Sequence, residues 1–218
     1  MKFIRIIAST SLCLLAACSN QATSHKATTA DTVLVKDEHT LSNADSIHMK
    51  HLSLDLKVDL EGQQLSGYAT WDIENKQKAQ YLRLDNNQLH IDSVWVDDQA
   101  STYSIGQTQE ALGAALQIPI GANSKKVTIK YAADAHAKAL QWLTAAQTTS
   151  KKHPFLYTQS ESIYARSWVP CPDGPGIRFT YSARISVPKG MMAVMSASGN
   201  PQQANDSGIY HFEMEQAI

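Results

Sequence analysis

The sequence carries no surplus of positive charge. Lys and Arg number 19 against 20 Asp and Glu, for a net charge of −1, so it lacks the basic field of a nucleic-acid binder. Beyond its N-terminus it has no apolar run of eighteen residues, so no membrane-spanning helix is expected. It has few cysteines: Cys13, Cys18 and Cys171. H-E-x-x-H, C-x-x-C, G-x-S-x-G and the phosphate-binding P-loop are absent. No segment sustains a 3.6-residue period, and there are no heptads or internal repeats. What is present is 43% apolar and 18% charged, enough apolar material for one sizeable core.

The histidines supply no obvious metal set. His48 and His51 in "HMKH" lie three apart, a spacing that points to opposite faces of a strand. His90, His136, His153 and His211 have no companions at ligand spacing. No metal site is therefore expected in this chain. Asp97-Asp98 reads as a pair of solvated turn residues.

The N-terminus reads as a targeting segment rather than part of the fold. "MKFIRIIASTSLCLLAAC" places Lys2 and Arg5 before an apolar run and small residues before Cys18, the pattern of a secretory signal. "LAAC" resembles the lipobox of bacterial lipoproteins. That resemblance implies a signal peptide over 1–17, lipidation of Cys18, a membrane anchor through it, and a cell-envelope address. Ser19 after Cys18 resembles sorting to an outer membrane facing the periplasm. Residues 18–36, small and polar without periodicity, read as a lipidated Cys followed by a tether. With Cys13 removed and Cys18 modified, only Cys171 is left, so no internal disulfide can form. A single Cys without a partner reads as a small buried apolar residue.

From 37 to 218 the pattern is β. In "HLSLDLKVDLEG", Leu52, Leu54, Leu56, Val58 and Leu60 share one face; Ser53, Asp55, Lys57 and Asp59 share the other. In "QQLSGYATWDIEN", Leu65, Ala69, Trp71 and Ile73 repeat the device. Period two with one polar face predicts half-buried antiparallel strands, and Gly62 between the runs predicts a hairpin. "YLRLD", "HIDSVWVDD", "ALQIPI", "KKVTIKYAAD", "IRFTYSARISVP", "MMAVMSAS" and "GIYHFEMEQAI" follow as further strands. Many short strands without helices predict an all-β, multi-sheet or sandwich domain.

Two stretches break the pattern. "AKALQWLTAAQTTSKKHP" reads as a loop ending at Pro154. "YTQSESIYARSWVPCPDGP", Tyr157 to Pro175, packs Pro170, Pro172 and Pro175 with Glu161, Arg166 and Asp173. Proline removes backbone donors and cannot lie within a central strand, and such loops on a rigid β scaffold are where sites usually lie. Read alone, Glu161 is an exposed loop carboxylate.

The second stretch changes that reading. "HPFLYTQSESIYARSWVPCPDGPGIRFTYSARISVPKGMMAVMSASG" resembles the aminopeptidase N-type zinc peptidases, in particular their leukotriene hydrolase-like branch. The resemblance rests on Gln159-Ser160-Glu161, Ala165-Arg166, Pro170-Cys171, Asp173 and Pro175. "ALQWLTAAQTTSKKHPF" and the stretch from Asp37 to Asn75 extend it over nearly the whole chain after the tether.

The resemblance implies an all-β saddle of several sheets that packs on a thermolysin-like catalytic domain holding zinc. It implies that Glu161 binds the free α-ammonium of a peptide substrate and that Gln159 lines the first subsite. Epoxide-hydrolysing members of the branch resemble this stretch but carry Gln where Glu161 stands, so the acid points to peptidase work. Arg166 and Asp173 are expected to hold the loop. The family's zinc motifs are missing, and the sequence stops within what reads as a strand. The chain is therefore expected to be a fragment of a longer lipid-anchored zinc aminopeptidase, inactive and zinc-free by itself. A second reading stays open: a non-enzymatic, lipid-anchored β-sandwich binding module of the cell envelope.

Overall fold

The computed structural model describes residues 37–218. The signal peptide, Cys18 and the tether expected over 1–36 lie outside the described residues. Within them the chain is 3% helical and 44% strand, which makes the fold all-β.

Twelve strands follow in order: β1 (His48–Asp59), β2 (Gln64–Glu74), β3 (Tyr81–Asn86), β4 (His90–Val96), β5 (Gln99–Ser101), β6 (Ser104–Ile105), β7 (Ala114–Pro119), β8 (Lys126–Ala133), β9 (Leu140–Leu143), β10 (Phe155–Thr158), β11 (Thr180–Ser186) and β12 (Ile209–Met214). They form a seven-stranded sheet, β12-β11-β1-β2-β8-β4-β5, a three-stranded sheet, β3-β7-β6, and a two-stranded one, β10-β9. The β1–β11 pair is parallel and the others are antiparallel.

The alternation in the sequence sets the large sheet. Leu52, Leu54, Leu56 and Val58 of β1 are buried, as are Leu65, Ala69, Trp71 and Ile73 of β2. These join Leu82 and Leu84 of β3, Leu116 and Ile118 of β7, and Val127 and Ile129 of β8 in one apolar cluster. Each such aliphatic side chain contributes about 1.5–3 kcal/mol on full burial. The β1–β2 turn depends on Asp59, whose carboxylate accepts the N–H groups of Glu61 (3.1 Å) and Gly62 (2.9 Å). A Cβ on Gly62 would lie 2.7 Å from the Asp59 carboxylate and would push that exposed side chain aside, whereas the left-handed backbone falls on Gln63 (φ 48°).

Four expectations change. A bulge between Met49 and His51 inserts a residue between the buried Met49 and Leu52, so His48 and His51 share the outward face instead of facing apart. His51 spends both ring nitrogens on hydroxyls of β11, Thr180 Oγ1 at 2.7 Å and Ser182 Oγ at 3.0 Å. "AKALQWLTAAQTTSKKHP" is not all loop: it contains β9, which pairs with β10, and a 3₁₀ turn at Ala145–Gln147. "MMAVMSAS" forms no strand, because only Ser198 bridges to Glu213. Finally, β12 ends at Met214, and Ile218 exchanges backbone hydrogen bonds with Phe179.

Candidate functional site

The β9–β10 ladder runs into the proline-rich loop. Gln159 N–H donates to the Ala139 carbonyl at 2.8 Å, one rung beyond the last strand residue. The triplet Gln159-Ser160-Glu161 thus begins where the ladder ends. The Gln159 side-chain oxygen turns back to accept the Glu161 N–H at 2.9 Å. Ser160 is held twice: its carbonyl accepts Tyr164 N–H (2.8 Å), and its Oγ accepts Trp168 Nε1–H (3.1 Å). The Glu161–Ser162 peptide bond is cis. Gln159 and Glu161 are exposed. Among the described residues, nothing donates to the Glu161 carboxylate.

Behind the triplet sits a buried ionic cluster. Arg166, in the 3₁₀ turn Ala165–Ser167, is wholly buried, as is Asp85 at the end of β3. Arg166 Nε and its backbone N–H both donate to Asp173 Oδ2, at 3.0 and 3.1 Å. Nη1 donates to the Leu112 carbonyl at 3.0 Å and lies 3.5 Å from Asp85 Oδ1. Nη2 donates to the His39 and Asp173 carbonyls, each at 2.7 Å. Asp85 in turn accepts the Leu41 N–H (2.6 Å), the Asp173 N–H (2.8 Å) and the Thr40 hydroxyl. The guanidinium thus has its donors met in a fixed fork, a geometry that Lys could not copy. Burial pushes the Asp173 carboxyl above its usual value despite its bonds to Arg166.

The prolines and Trp71 fasten the far end of the loop. Trp71 Nε1–H donates to the Pro170 carbonyl at 3.0 Å, and its ring packs edge-on against Phe179 with centroids 4.8 Å apart. Asp85 N–H donates to the Cys171 carbonyl at 2.9 Å. Cys171 is free and buried, and burial pushes its thiol well up. A buried, protonated thiol packs as an apolar side chain.

The structure therefore joins Gln159 and Glu161, both exposed, through the Gln159 amide, and pairs Arg166 with Asp173 in the turn and loop that follow. Gln159 does more than the sequence suggested, because its amide holds the main chain of Glu161. Asp85, Thr40 and Leu41 were missed. Asp85 follows Leu82 and Leu84 in a strand whose alternation turns it outward, and only the returning loop buries it. No three His, Cys, Asp or Glu side chains among the described residues are grouped so as to hold a metal ion.

This β fold, with its braced acidic loop, is the N-terminal domain of a peptidase family. The Peptidase M1 N-terminal domain profile matches residues 46–218, and the chain belongs to that family. It is 31% identical over 84% of its length to leukotriene A-4 hydrolase of Xenopus laevis, of which it covers 32%. It is 33% identical over 84% of its length to leucine aminopeptidase 2 of Yarrowia lipolytica, of which it covers 28%. Among solved structures, native yeast LTA4 hydrolase aligns over 84% of this chain and 29% of its own, with 32% identity and a TM-score of 0.74. The M1 zinc metallopeptidase of Deinococcus radiodurans, 18% identical over 79% of this chain and 40% of its own, shares the fold with a TM-score of 0.61. The chain spans about a third of the length of the curated relatives it matches.

One expectation is corrected. These relatives are a frog leukotriene A-4 hydrolase and fungal leucine aminopeptidases, not outer-membrane lipoproteins, which overturns the outer-membrane, cell-envelope address. That address rested on Lys2 and Arg5, a short apolar run, "LAAC" and Ser19, a pattern too small to carry it.

Proposed function

We propose that this chain is the substrate-amine-binding domain of a zinc aminopeptidase that removes N-terminal residues from peptides. One observation carries the reading. Glu161 presents a carboxylate without a partner among the described residues, on a loop whose surrounding polar groups are tied down. An enzyme that counts from a chain end needs a fixed anion for the terminal ammonium. Two features of the relatives support the reading: their aminopeptidase names and a yeast LTA4 hydrolase structure solved in complex with bestatin.

In this reading the substrate ammonium donates to Glu161, a charge-assisted hydrogen bond worth about 1.5–3 kcal/mol. Gln159 holds the Glu161 backbone and borders the first subsite. Fixing the ammonium orients the first peptide bond and excludes substrates that lack a free amine. The chemistry that a bound zinc would supply to such an enzyme is Lewis-acid polarisation of a carbonyl and activation of water. The described residues do not fit it, and its ligands are assigned to a thermolysin-like catalytic domain in the length that the relatives have beyond this match.

The test uses the full-length gene product. Glu161→Gln and Glu161→Ala should lower kcat/KM on amino-acid amides by about 10- to 150-fold, the binding energy above converted at 1.36 kcal/mol per decade. Wild-type kcat/KM in both variants would sink the reading.

A further inference from the structure

The site's exposed acid connects to a buried one. Asp85 lies wholly inside, on the face of β3 that strand alternation turns away from Leu82 and Leu84. Its carboxylate accepts the Asp173 N–H at 2.8 Å. The Asp173 carboxylate accepts Arg166 Nε–H and the Arg166 backbone N–H. Arg166 belongs to the same 3₁₀ turn as Ser167, whose hydroxyl donates to the Tyr164 carbonyl at 2.7 Å and accepts the Ala139 N–H at 3.0 Å. Tyr164 N–H and Trp168 Nε1–H then hold Ser160 from both ends. Ser160 separates Gln159 from Glu161. A path of hydrogen bonds, joined through the main chain of the 3₁₀ turn, thus runs from Asp85 to the peptide that carries Glu161.

The path also has an anchor outside the loop. Thr40 and Leu41 donate to Asp85, and His39 accepts from Arg166. A segment more than a hundred residues upstream is therefore pinned to the same cluster. The chemistry of this point requires a carboxylate. Four donors, namely Leu41 N–H, the Thr40 hydroxyl, Asp173 N–H and the nearby Arg166 Nη1, converge on two oxygens. An amide at that position would aim its own N–H₂ at some of them.

Resting on the amine-anchor reading of Glu161, we infer that Asp85 is a positioning residue for substrate-ammonium recognition. It touches no substrate. It sets where Glu161 stands by fixing the Asp173–Arg166 brace, so its loss is felt as a misplaced anion. A displacement of this kind is costly in an oriented site.

The experiment is a double-mutant cycle in the full-length gene product, read as kcat/KM on amino-acid amides, with melting temperature measured for every variant. Asp85→Asn should lower kcat/KM at least 10-fold, and Thr40→Ala, which removes one donor and keeps the acid, about 3-fold. In a Glu161→Gln background, where no anion is left to misplace, each should lower it less than 2-fold further. Equal losses in both backgrounds would overturn the inference and leave the role of Glu161 standing, since Asp85 would then serve the fold at large. Wild-type activity of Glu161→Gln alone would remove the amine-anchor reading and this inference with it. If Asp85→Asn does not fold, the Thr40→Ala arm decides by the same comparison.

Discussion

Arg166→Ala is the perturbation whose cost follows most directly from the structure. The substitution removes the only cation, among the described residues, from a cluster in which Asp85 is 0% exposed and the Asp173 side chain 11%. It also strips the carbonyls of Leu112, His39 and Asp173 of their guanidinium donors. Removing one partner of a buried pair costs about 3–5 kcal/mol, because the remaining charge is left without compensation. Each orphaned carbonyl adds to this, though not additively. Against a total stability of about 5–15 kcal/mol, the variant loses about a fifth or more. For a domain of this size, 1 kcal/mol moves the melting temperature by about 2–4 °C, so the expected drop is about 6–20 °C. Thermal unfolding followed by circular dichroism measures it directly. Arg166→Lys keeps the charge but cannot serve Asp173, Leu112 and His39 from one planar fork, and should fall between wild type and Ala. A melting temperature for Arg166→Ala within about 3 °C of wild type would refute the reasoning, because it would mean that the cluster is not a closed, desolvated network.

Two further outcomes follow from the sheet. Gly67 on β2 has φ 150°, and a Cβ there would overlap the Asp55 carbonyl oxygen on β1; Gly67→Ala should therefore cost about 1–3 kcal/mol in urea unfolding, and an unchanged midpoint would contradict that contact. At Asp97 burial works to raise the carboxyl pKa, but the N–H groups of Lys125 and Lys126, at 2.9 and 3.0 Å, outweigh it and hold the value below 3.8. A depressed folded-state pKa gives stability that is present above 3.8 and lost as pH falls through the lower folded value. Stability of Asp97→Asn should then fall less steeply than wild type on acidification below that point, and parallel curves would count against it.

The sheet was legible in the sequence wherever one face is buried. Leu52 to Val58 alternate because water lies on one side of β1 and the core on the other, and a period of two has no other simple reading. The same signal misled at "MMAVMSAS", whose residues also alternate in exposure. Alternation reports an extended backbone, whereas a strand also needs a neighbour, and only Ser198 finds one. β9 was hidden for the opposite reason. Four residues, Leu140 to Leu143, are too few to show a period, and the Ala-rich flanks favour helix. Of the candidate site, Glu161 was singled out through the Gln159-Ser160-Glu161 resemblance and the loop prolines through their own chemistry. Asp85 could not be found locally. Its burial is created by residues 166–173 and by Thr40 and Leu41, which reach it from 88 and 45 positions away.

The parallel pairing of β1 with β11 has a consequence for how the chain is made. Ser53 and its β11 neighbour Ser182 are 129 residues apart. At a synthesis rate of about 5–20 residues per second, one side of the first strand leaves the ribosome and stays unclaimed for about 6–26 s. During that interval β1 can be zipped only to β2 and presents a bare row of amides to any passing extended peptide. Crowding of nascent chains is therefore a hazard for this domain, since the earliest-made strand among the described residues is among the last to be enclosed.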